Sequence, residues 1–252
     1  MSMKYDFTTI LNREGTGAIA VSKIPFDNAE IKEGFSKIPM WVADMNYATA
    51  PSVIEAIQNR LAHPVFGYFD IKDAYSESII EWQKTRNGVT DIPKEAIDYE
   101  NGVLGGVSSV LQAFTAPGEA ILLHSPAYIG FIGTITNMGR KIVYSPLKKD
   151  EQGVWRMDYE DMDKKLKENH IHLAIFCSPH NPSGRVWERE EIEAAMEVYR
   201  KNDCIVISDE IWSDLTLGNR QHIPTQTVSE DAKTRTIAMY APTKTFNLAG
   251  LI

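Results

Sequence analysis

The sequence predicts an α/β fold in which helices cover a largely parallel β-sheet. From residue 97 onward, short apolar runs alternate with amphipathic stretches, a pattern typical of βαβ units in which helices of about 10–15 residues separate the strands. The 252 residues allow one or two domains. A composition of 43% hydrophobic and 24% charged residues excludes a disordered, collagen-like or coiled-coil chain.

The elements follow in chain order. Apolar runs predict strands at 97–99, 121–124, 142–144, 173–177, 205–208 and 236–240. Amphipathic spacing predicts the intervening helices at 107–115, 128–138, 158–169 and 188–202.

The part of the chain before residue 97 has a different pattern. Residues 1–48 are predicted to be irregular. A helix should follow, capped by Thr49 or Ser52 and ended by Pro64. A second helix is predicted at about 70–87, and Gly88 would end it.

Charge and cysteine content narrow the class of protein. The net charge of −8 and the lack of a basic patch argue against nucleic-acid or anionic-membrane binding. Cys177 and Cys204 lie in apolar runs, as buried thiols of an intracellular protein do, and no Cys/His cluster suggests a metal site. No secretory signal and no apolar run near 18 residues is found, so the expected location is the cytoplasm.

Ligands of open parallel sheets bind beyond the carboxyl ends of the strands, so the residues after each predicted strand are candidates for a binding or catalytic site. After the first strand, the glycine-rich segment 101–106 leads into a helix. Helix N-termini present N–H groups to anions, which suggests a phosphate cradle. A tight strand-to-helix turn explains the same segment equally well.

Four further side chains follow the second, fourth, fifth and sixth predicted strands: Tyr128, Asn181, Asp209 and Lys244. Taken singly, they also fit a rim aromatic, a turn asparagine, a helix-capping aspartate and an exposed lysine. Their order is more informative than any one of them. An imine-forming lysine, a carboxylate for a pyridine nitrogen, an amide for a phenolic oxygen and a phosphate cradle together indicate a site for pyridoxal 5′-phosphate (PLP).

The sequence resembles the fold-type-I PLP enzymes of the aminotransferase class I/II superfamily. Among these it is most similar to the MalY/PatB-type cystathionine β-lyases, which are carbon–sulfur lyases. The matching segments are 41–47 (WVADMNY), 63–68 (HPVFGY), 124–128 (HSPAY), 177–187 (CSPHNPSGRVW), 208–211 (SDEI) and 243–247 (TKTFN). The resemblance implies a large PLP-binding domain at 49–252, with a mostly parallel (mixed) sheet sandwiched by helices. Residues 1–48 would form an N-terminal arm and part of a small α+β domain.

The resemblance also implies catalytic roles. Lys244 would bind PLP covalently and move the substrate's Cα proton, while Asp209 would pair with the pyridinium nitrogen. Tyr68 would reach the phosphate of the neighbouring subunit's PLP, which implies a homodimer.

Other residues would hold the cofactor. By the same resemblance, Asn181 would hydrogen-bond the ring O3′ and Tyr128 would stack on the ring. Thr243 and the amides around Val103 and Leu104 would bind the phosphate.

Three departures from the family pattern stand out. Ile252 occupies the position where class I aminotransferases carry a phosphate-binding arginine, which favours a lyase because the C–S lyases also lack it. Asn46 stands where these lyases more often have aspartate. Relatives also continue beyond residue 252, with a last sheet strand, most of the small domain and the arginine that binds the substrate carboxylate. We therefore expect an incomplete large domain.

The resemblance implies β-elimination from a small sulfur-containing L-amino acid, which releases a thiol, pyruvate and ammonia. An aminotransferase is the first alternative, because it uses the same residues. The second is an inactive fragment or regulatory binding protein. A nucleic-acid or membrane partner has no support in the sequence.

Overall fold

A computed structural model describes residues 5–23, 25, 32–35 and 38–251. The chain groups into two compact units. The first unit comprises Met1–Phe69 and Pro242–Ile252, and the second comprises Asp70–Ala241. The domain boundary after residue 48 stays a prediction.

The second unit contains a five-stranded sheet in which every strand pair is parallel. In the order in which they lie side by side, its strands are β2 (Lys141–Pro146), β1 (Ala120–Ser125), β5 (Leu173–Cys177), β6 (Ile205–Asp209) and β7 (Thr236–Met239). A separate antiparallel ribbon pairs β3 (Lys148–Lys149) with β4 (Trp155–Arg156). The α/β fold with a mostly parallel sheet is therefore confirmed.

The helices are, in chain order, α1 (Ile19–Ser22), α2 (Pro51–Leu61), α3 (Asp73–Asn87), α4 (Gly102–Phe114), α5 (Ile129–Asn137), α6 (Tyr159–Glu168), α7 (Arg189–Lys201), α8 (Glu230–Arg235) and α9 (Pro242–Thr245). Short 3₁₀ turns lie at Lys94–Ala96 and Thr225–Thr227. Gly88 ends α3 with φ 70°, a left-handed conformation that glycine adopts without strain. None of the helices among the described residues is long and apolar enough to cross a membrane.

Helices cover both faces of the sheet. Successive strand residues point to opposite sides, so each strand contributes side chains to both layers of the core. On one face, strand residues such as Leu122 and Phe176 pack with buried side chains of α6 and α7. On the other, neighbours such as Leu123 and Ile175 pack with those of α4 and α5. This two-sided core explains why the strands appear in the sequence as continuous apolar runs. Because the strands are parallel, their carboxyl ends lie at the same edge of the sheet.

Two expectations were wrong near the start of the second unit. Residues 97–99 are not a strand, although Ile97 has extended backbone angles (φ −105°, ψ 124°). A strand needs a neighbour for its hydrogen bonds, and no described strand pairs with this segment. The following glycine-rich segment is not a loop, because α4 begins at Gly102, five residues earlier than predicted.

The start of α2 also differs from the expectation. Its N-cap is Ala50, with Pro51 as first helical residue, so neither Thr49 nor Ser52 caps it. Proline is favoured at this position because its fixed φ suits a helix and its missing N–H has no intrahelical acceptor to lose. The region 1–48, predicted to be irregular, contains the one-turn helix α1.

Candidate active site

The N-terminal half of α4 lies near the carboxyl end of β7, where Gly106 approaches the side chain of Met239. Asn101 is the N-cap and makes no side-chain capping bond, while Val103 and Leu104 are the second and third helical residues. Backbone N–H groups in a first helical turn have no intrahelical acceptor, and the helix dipole is positive there. This turn therefore has the donors that a phosphate group needs.

The Tyr128 ring lies against the same region. Tyr128 is the N-cap of α5, and its ring meets Phe131 edge-on, with centroids 5.4 Å apart. A Cβ at Gly130 would lie 2.9 Å from Tyr128 Cζ, closer still to its Cε1, and 3.0 Å from Leu104 Cδ1. Glycine at 130 is therefore what allows the ring to lie beside the first turn of α4. Tyr128 remains 38% exposed, so part of the residue is accessible to a ligand.

Asp209 is the last residue of β6 and is 5% exposed. Its Oδ1 accepts a hydrogen bond from the Ile211 amide at 3.1 Å. It pairs in register with Met239 of β7, whose Sδ is 2.8 Å from the place where Gly106 of α4 would carry a Cβ. This contact brings α4 to the strand ends that hold the carboxylate. A buried carboxylate is stabilised by a cationic partner, such as a protonated heterocycle.

Asn181 lies in the loop that follows β5. The backbone N–H of Asn181 donates to Cys177 Sγ at 3.5 Å, and that thiol lies 3.2 Å from the carbonyl oxygen of Pro179. Trp187 Nε1 donates to the Cys177 carbonyl at 2.9 Å, which closes the loop from the other side. Burial, and then the charge of Asp209, raises the pKa of the Cys177 thiol well above its usual range. The thiol therefore acts here as a neutral anchor for the loop.

His180, beside Asn181, does not suit the role of a catalytic base. Its Nδ1 lies 2.8 Å from Ser183 Oγ, and its ring meets Trp187 edge-on. Burial lowers its pKa to about 4, so it is neutral at physiological pH. The side chain stabilises the loop.

Ion pairs hold the far end of this loop. Arg185 pairs with Glu191 of α7, and its Nε donates to the Trp155 carbonyl at 3.1 Å. Arg156 Nη1 lies 2.7 Å from the other oxygen of Glu191. The same carboxylate accepts the Glu188 amide at 2.9 Å in a capping box. Glu191 thus joins the loop, the β3–β4 ribbon and α7.

A buried polar cluster behind Asp209 has no counterpart among the sequence predictions. The fully buried Glu210 carboxylate accepts hydrogen bonds from Ser208 Oγ (2.8 Å), the Thr225 amide (3.0 Å), His222 Nε2 (2.6 Å) and the Tyr240 hydroxyl. Burial opposes its ionisation, but these donors outweigh burial and hold the pKa of Glu210 below its usual range. The cluster joins the ends of β6 and β7.

The remaining predicted residues belong to the first unit. Lys244, on α9, has its Nζ 3.4 Å from the carbonyl oxygen of Ala43. Beside it, Asp44 receives two bonds from Arg13, at 2.6 and 2.9 Å. The Arg13 guanidinium holds the pKa of Asp44 below its usual range, and the charge of Lys244 adds to this effect. Asn46 accepts a further bond from Arg13 at 3.2 Å.

The predicted site residues thus divide between the units. At one edge of its sheet the second unit holds Val103, Leu104, Tyr128, Asn181 and Asp209. The first unit holds Tyr68, Thr243 and Lys244. Thr243 precedes Lys244 on α9, and its carbonyl accepts the Leu248 amide at 2.9 Å. Tyr68 is fully exposed. No group of three or more potential metal ligands occurs among the described residues.

Comparison with known proteins identifies the relatives of the chain. The family model described as aminotransferase class I and II matches residues 36–251. Cystathionine beta-lyase PatB of Bacillus subtilis is 37% identical over 214 residues, which are 85% of this chain. Protein MalY of Escherichia coli is 31% identical over 250 residues, 98% of this chain. The resemblance found in the sequence is therefore confirmed.

A solved structure gives the same result for the fold. Cystalysin from Treponema denticola, which contains a PLP cofactor, superposes with a TM-score of 0.90 at 33% identity over 99% of this chain. The chain spans 55% of the length of PatB, 61% of MalY and 62% of the cystalysin chain. The shared fold thus concerns a little over half of these relatives.

Proposed function

Because this chain belongs to the aminotransferase class I and II family, we propose that it is part of a PLP-dependent carbon–sulfur β-lyase acting on small sulfur-containing amino acids. Its similarity to cystathionine beta-lyase PatB supports this choice. Ile252 supports it as well, because the family resemblance implies a phosphate-binding arginine at this position in a transaminase and none in a C–S lyase.

The observation that carries the proposal is the donor set at the sheet edge. The first-turn amides of α4 suit a phosphate, and the buried carboxylate of Asp209 suits a protonated ring nitrogen. Tyr128 lies between them in the sequence, and the missing side chain of Gly130 leaves room for its ring. These residues fit PLP in charge, in hydrogen-bonding capacity and in having an aromatic surface for a planar ring.

Each residue then has a role in binding. The amides of Val103 and Leu104, together with the Thr243 hydroxyl, would bind the phosphate. Asn181 would donate to the ring O3′, and Asp209 would keep the ring nitrogen protonated. When bound, PLP supplies an acceptor for the negative charge that develops at the substrate Cα.

Lys244 performs the proton transfer. Its amine would hold the cofactor and, during the reaction, would remove the Cα proton of the substrate as a general base. The Cβ–S bond breaks with its electron pair leaving on sulfur, and the thiolate takes up a proton. Water completes the reaction, so that the amino acid and one water yield one thiol, one pyruvate and one ammonia.

An aminotransferase is the second candidate, favoured by the description of the matching family. In it, Lys244 would donate the proton that it had removed, and no Cβ–S bond would break. Amino transfer that depends on an added keto acid, without release of thiol, would identify it. A regulatory binding protein would instead keep its function after Lys244→Ala.

We also propose a cytoplasmic homodimer. Support for the second copy comes from the exposed apolar side chains around Tyr68, which include Phe66 and Phe69. Tyr68 would reach the phosphate bound by the partner. The two buried thiols, Cys177 and Cys204, support a reducing compartment.

The test is an absorption spectrum of the purified protein with added PLP, beside Lys244→Ala. We expect the wild type to retain a visible cofactor band after desalting and the variant to lose it. Lys164→Ala is the matched control, because Lys164 is an exposed lysine of α6 whose nearest carboxylate, Glu168, is 3.9 Å away. Thiol release from L-cystathionine or L-cysteine then distinguishes the lyase from the transaminase.

A stable, cooperatively folded wild type without the band would overturn the enzyme assignment and favour the regulatory protein. Retention of the band by Lys244→Ala would show that another residue holds the cofactor.

A further inference from the structure

Asn247, three residues after Lys244, binds the main chain of a distant segment. Its Oδ1 accepts the Met45 amide at 2.9 Å, and its Nδ2 donates to the carbonyls of Met45 (3.0 Å) and Tyr47 (3.1 Å). The first two bonds copy the way in which one strand residue pairs with another. A side chain that follows the lysine thus acts as a strand partner for residues some 200 positions earlier.

The backbone of Asn247 is suited to this contact. Its φ is 56°, in the left-handed region that asparagine tolerates better than most residues. The backbone N–H of Asn247 donates to the Lys244 carbonyl at 3.4 Å, and the backbone N–H of Leu248 donates to the Thr243 carbonyl at 2.9 Å. The turn that carries Lys244 and the side chain that holds segment 45–47 are therefore one local structure.

The segment that Asn247 binds also carries the residues that lie beside the Lys244 amine. Ala43, whose carbonyl oxygen lies 3.4 Å from Lys244 Nζ, is two residues before Met45. Between them, Asp44 is fixed by its two bonds to Arg13. Any shift of the backbone at Met45 would move the carbonyl and the carboxylate that face the lysine.

We propose that Asn247 is a positioning residue, which fixes segment 43–47 against the turn of Lys244 and so determines the surroundings of the lysine amine. This inference rests on the proposed function for the role of Lys244, but the contacts themselves do not depend on a cofactor. Asn247 needs both a donor and an acceptor, because a carboxylate would set an oxygen against the carbonyls of Met45 and Tyr47.

The test uses two substitutions. Asn247→Asp keeps the size, the acceptor for the Met45 amide and the tolerance of positive φ, but loses both donated bonds. Asn247→Gly keeps the positive φ and removes all three bonds. Asn169→Asp is the matched control, because the Asn169 side chain donates only one exposed bond, to the Lys165 carbonyl at the end of α6.

Two measurements are made without cofactor on the whole chain: hydrogen exchange of a peptide covering 43–48, and the acylation rate of Lys244 by acetic anhydride, read by mass spectrometry. Asn247→Asp loses two hydrogen bonds and Asn247→Gly loses three, so exchange should be about tenfold or more faster in both variants. Lys244 should react faster in both, because its contact with Ala43 is released. Exchange of peptides from β5 and β6 should stay as in the wild type and shows that the second unit remains folded.

Unchanged exchange in 43–48 would overturn the proposal. Faster exchange with unchanged acylation of Lys244 would also overturn it, because Asn247 would then support the segment without affecting the lysine. If the variants show both effects while the wild type never forms a cofactor band, the role of Asn247 is supported and the PLP-enzyme assignment is refuted, so the two failures are distinguishable.

Discussion

At the scale of single residues, Gly130 leads to a direct prediction for PLP binding, because its missing side chain leaves room for the Tyr128 ring. We expect Gly130→Ala to displace the Tyr128 ring, because the new Cβ would lie 2.9 Å from Cζ and 3.0 Å from Leu104 Cδ1. The displaced ring would no longer lie beside the first turn of α4. Titration with PLP, followed by absorbance, should show affinity reduced by about tenfold, the effect of losing one aromatic contact of about 1–1.5 kcal/mol.

Gly133 provides the control on the same helix. A Cβ there meets no atom within 4 Å. Alanine in a helix interior is favoured over glycine by about 1 kcal/mol, so Gly133→Ala should raise the melting temperature and leave PLP affinity unchanged. Equal affinity in both alanine variants would show that the position of Tyr128 does not matter for binding.

The sequence reveals residues of this kind only in part. The sequence reveals Tyr128, Asn181, Asp209 and Lys244 because each follows a predicted strand, and strand ends are visible in the apolar pattern. Glu210 and Asn247 lay inside the matching segments, but their roles were missed. Three of the four partners of Glu210 lie 12, 15 and 30 residues away, and those of Asn247 about 200. A single sequence carries no signal for such pairings.

At the scale of elements, the predictions succeeded where a local signal sets both ends. Helix α6 falls within the predicted range 158–169, because Asp158 caps it by accepting the Asp161 amide. Strand β5 matches its prediction completely because all five residues are buried. The segment 97–99 failed because apolar character shows that a strand is possible, whereas a strand exists only when a neighbour pairs with it.

The loop that carries Asn181 leads to a prediction at this scale. Glu191 binds Arg185 at the end of that loop, Arg156 of β4 and the first turn of α7. We expect Glu191→Gln to lower the free energy of unfolding by about 2 kcal/mol, because charge-assisted bonds in a largely buried setting are lost. Chemical denaturation measures this change, and PLP affinity should fall with it, since the loop also holds Asn181.

Glu193→Gln is the matched control on the same helix. Glu193 is nearly half exposed and lies 3.8 Å from Arg189, one turn earlier. Exposed pairs of this type contribute at most about 0.5 kcal/mol, so this variant should behave as the wild type. Similar losses in both variants would mean that α7 depends on general charge balance and not on the link to the loop.

At the scale of the whole molecule, the first unit has an unusually apolar surface. Helix α2 has no buried residue, although Val53, Ile57 and Leu61 form an apolar stripe along a shallow, open surface groove. Further along the chain, Phe66 is 65% and Phe69 85% exposed. Large contiguous apolar patches on a protein surface mark sites of association. Here a second copy of the chain is the occupant that the proposed function requires, because Tyr68 between the two phenylalanines would act on the partner's cofactor.

We therefore expect the protein to sediment as a dimer and the double substitution Phe66→Ser, Phe69→Ser to shift it to a monomer. Leu217→Ser is the control: Leu217 is 86% exposed in the second unit, and its substitution should leave the dimer intact.

Tyr68→Phe separates assembly from chemistry, because it keeps the aromatic contact and removes the hydroxyl. We expect it to remain dimeric by sedimentation equilibrium while its PLP dissociates faster. A monomeric wild type would remove the basis for any role of Tyr68 in a partner's site, whereas a dimer that survives the double substitution would place the interface elsewhere.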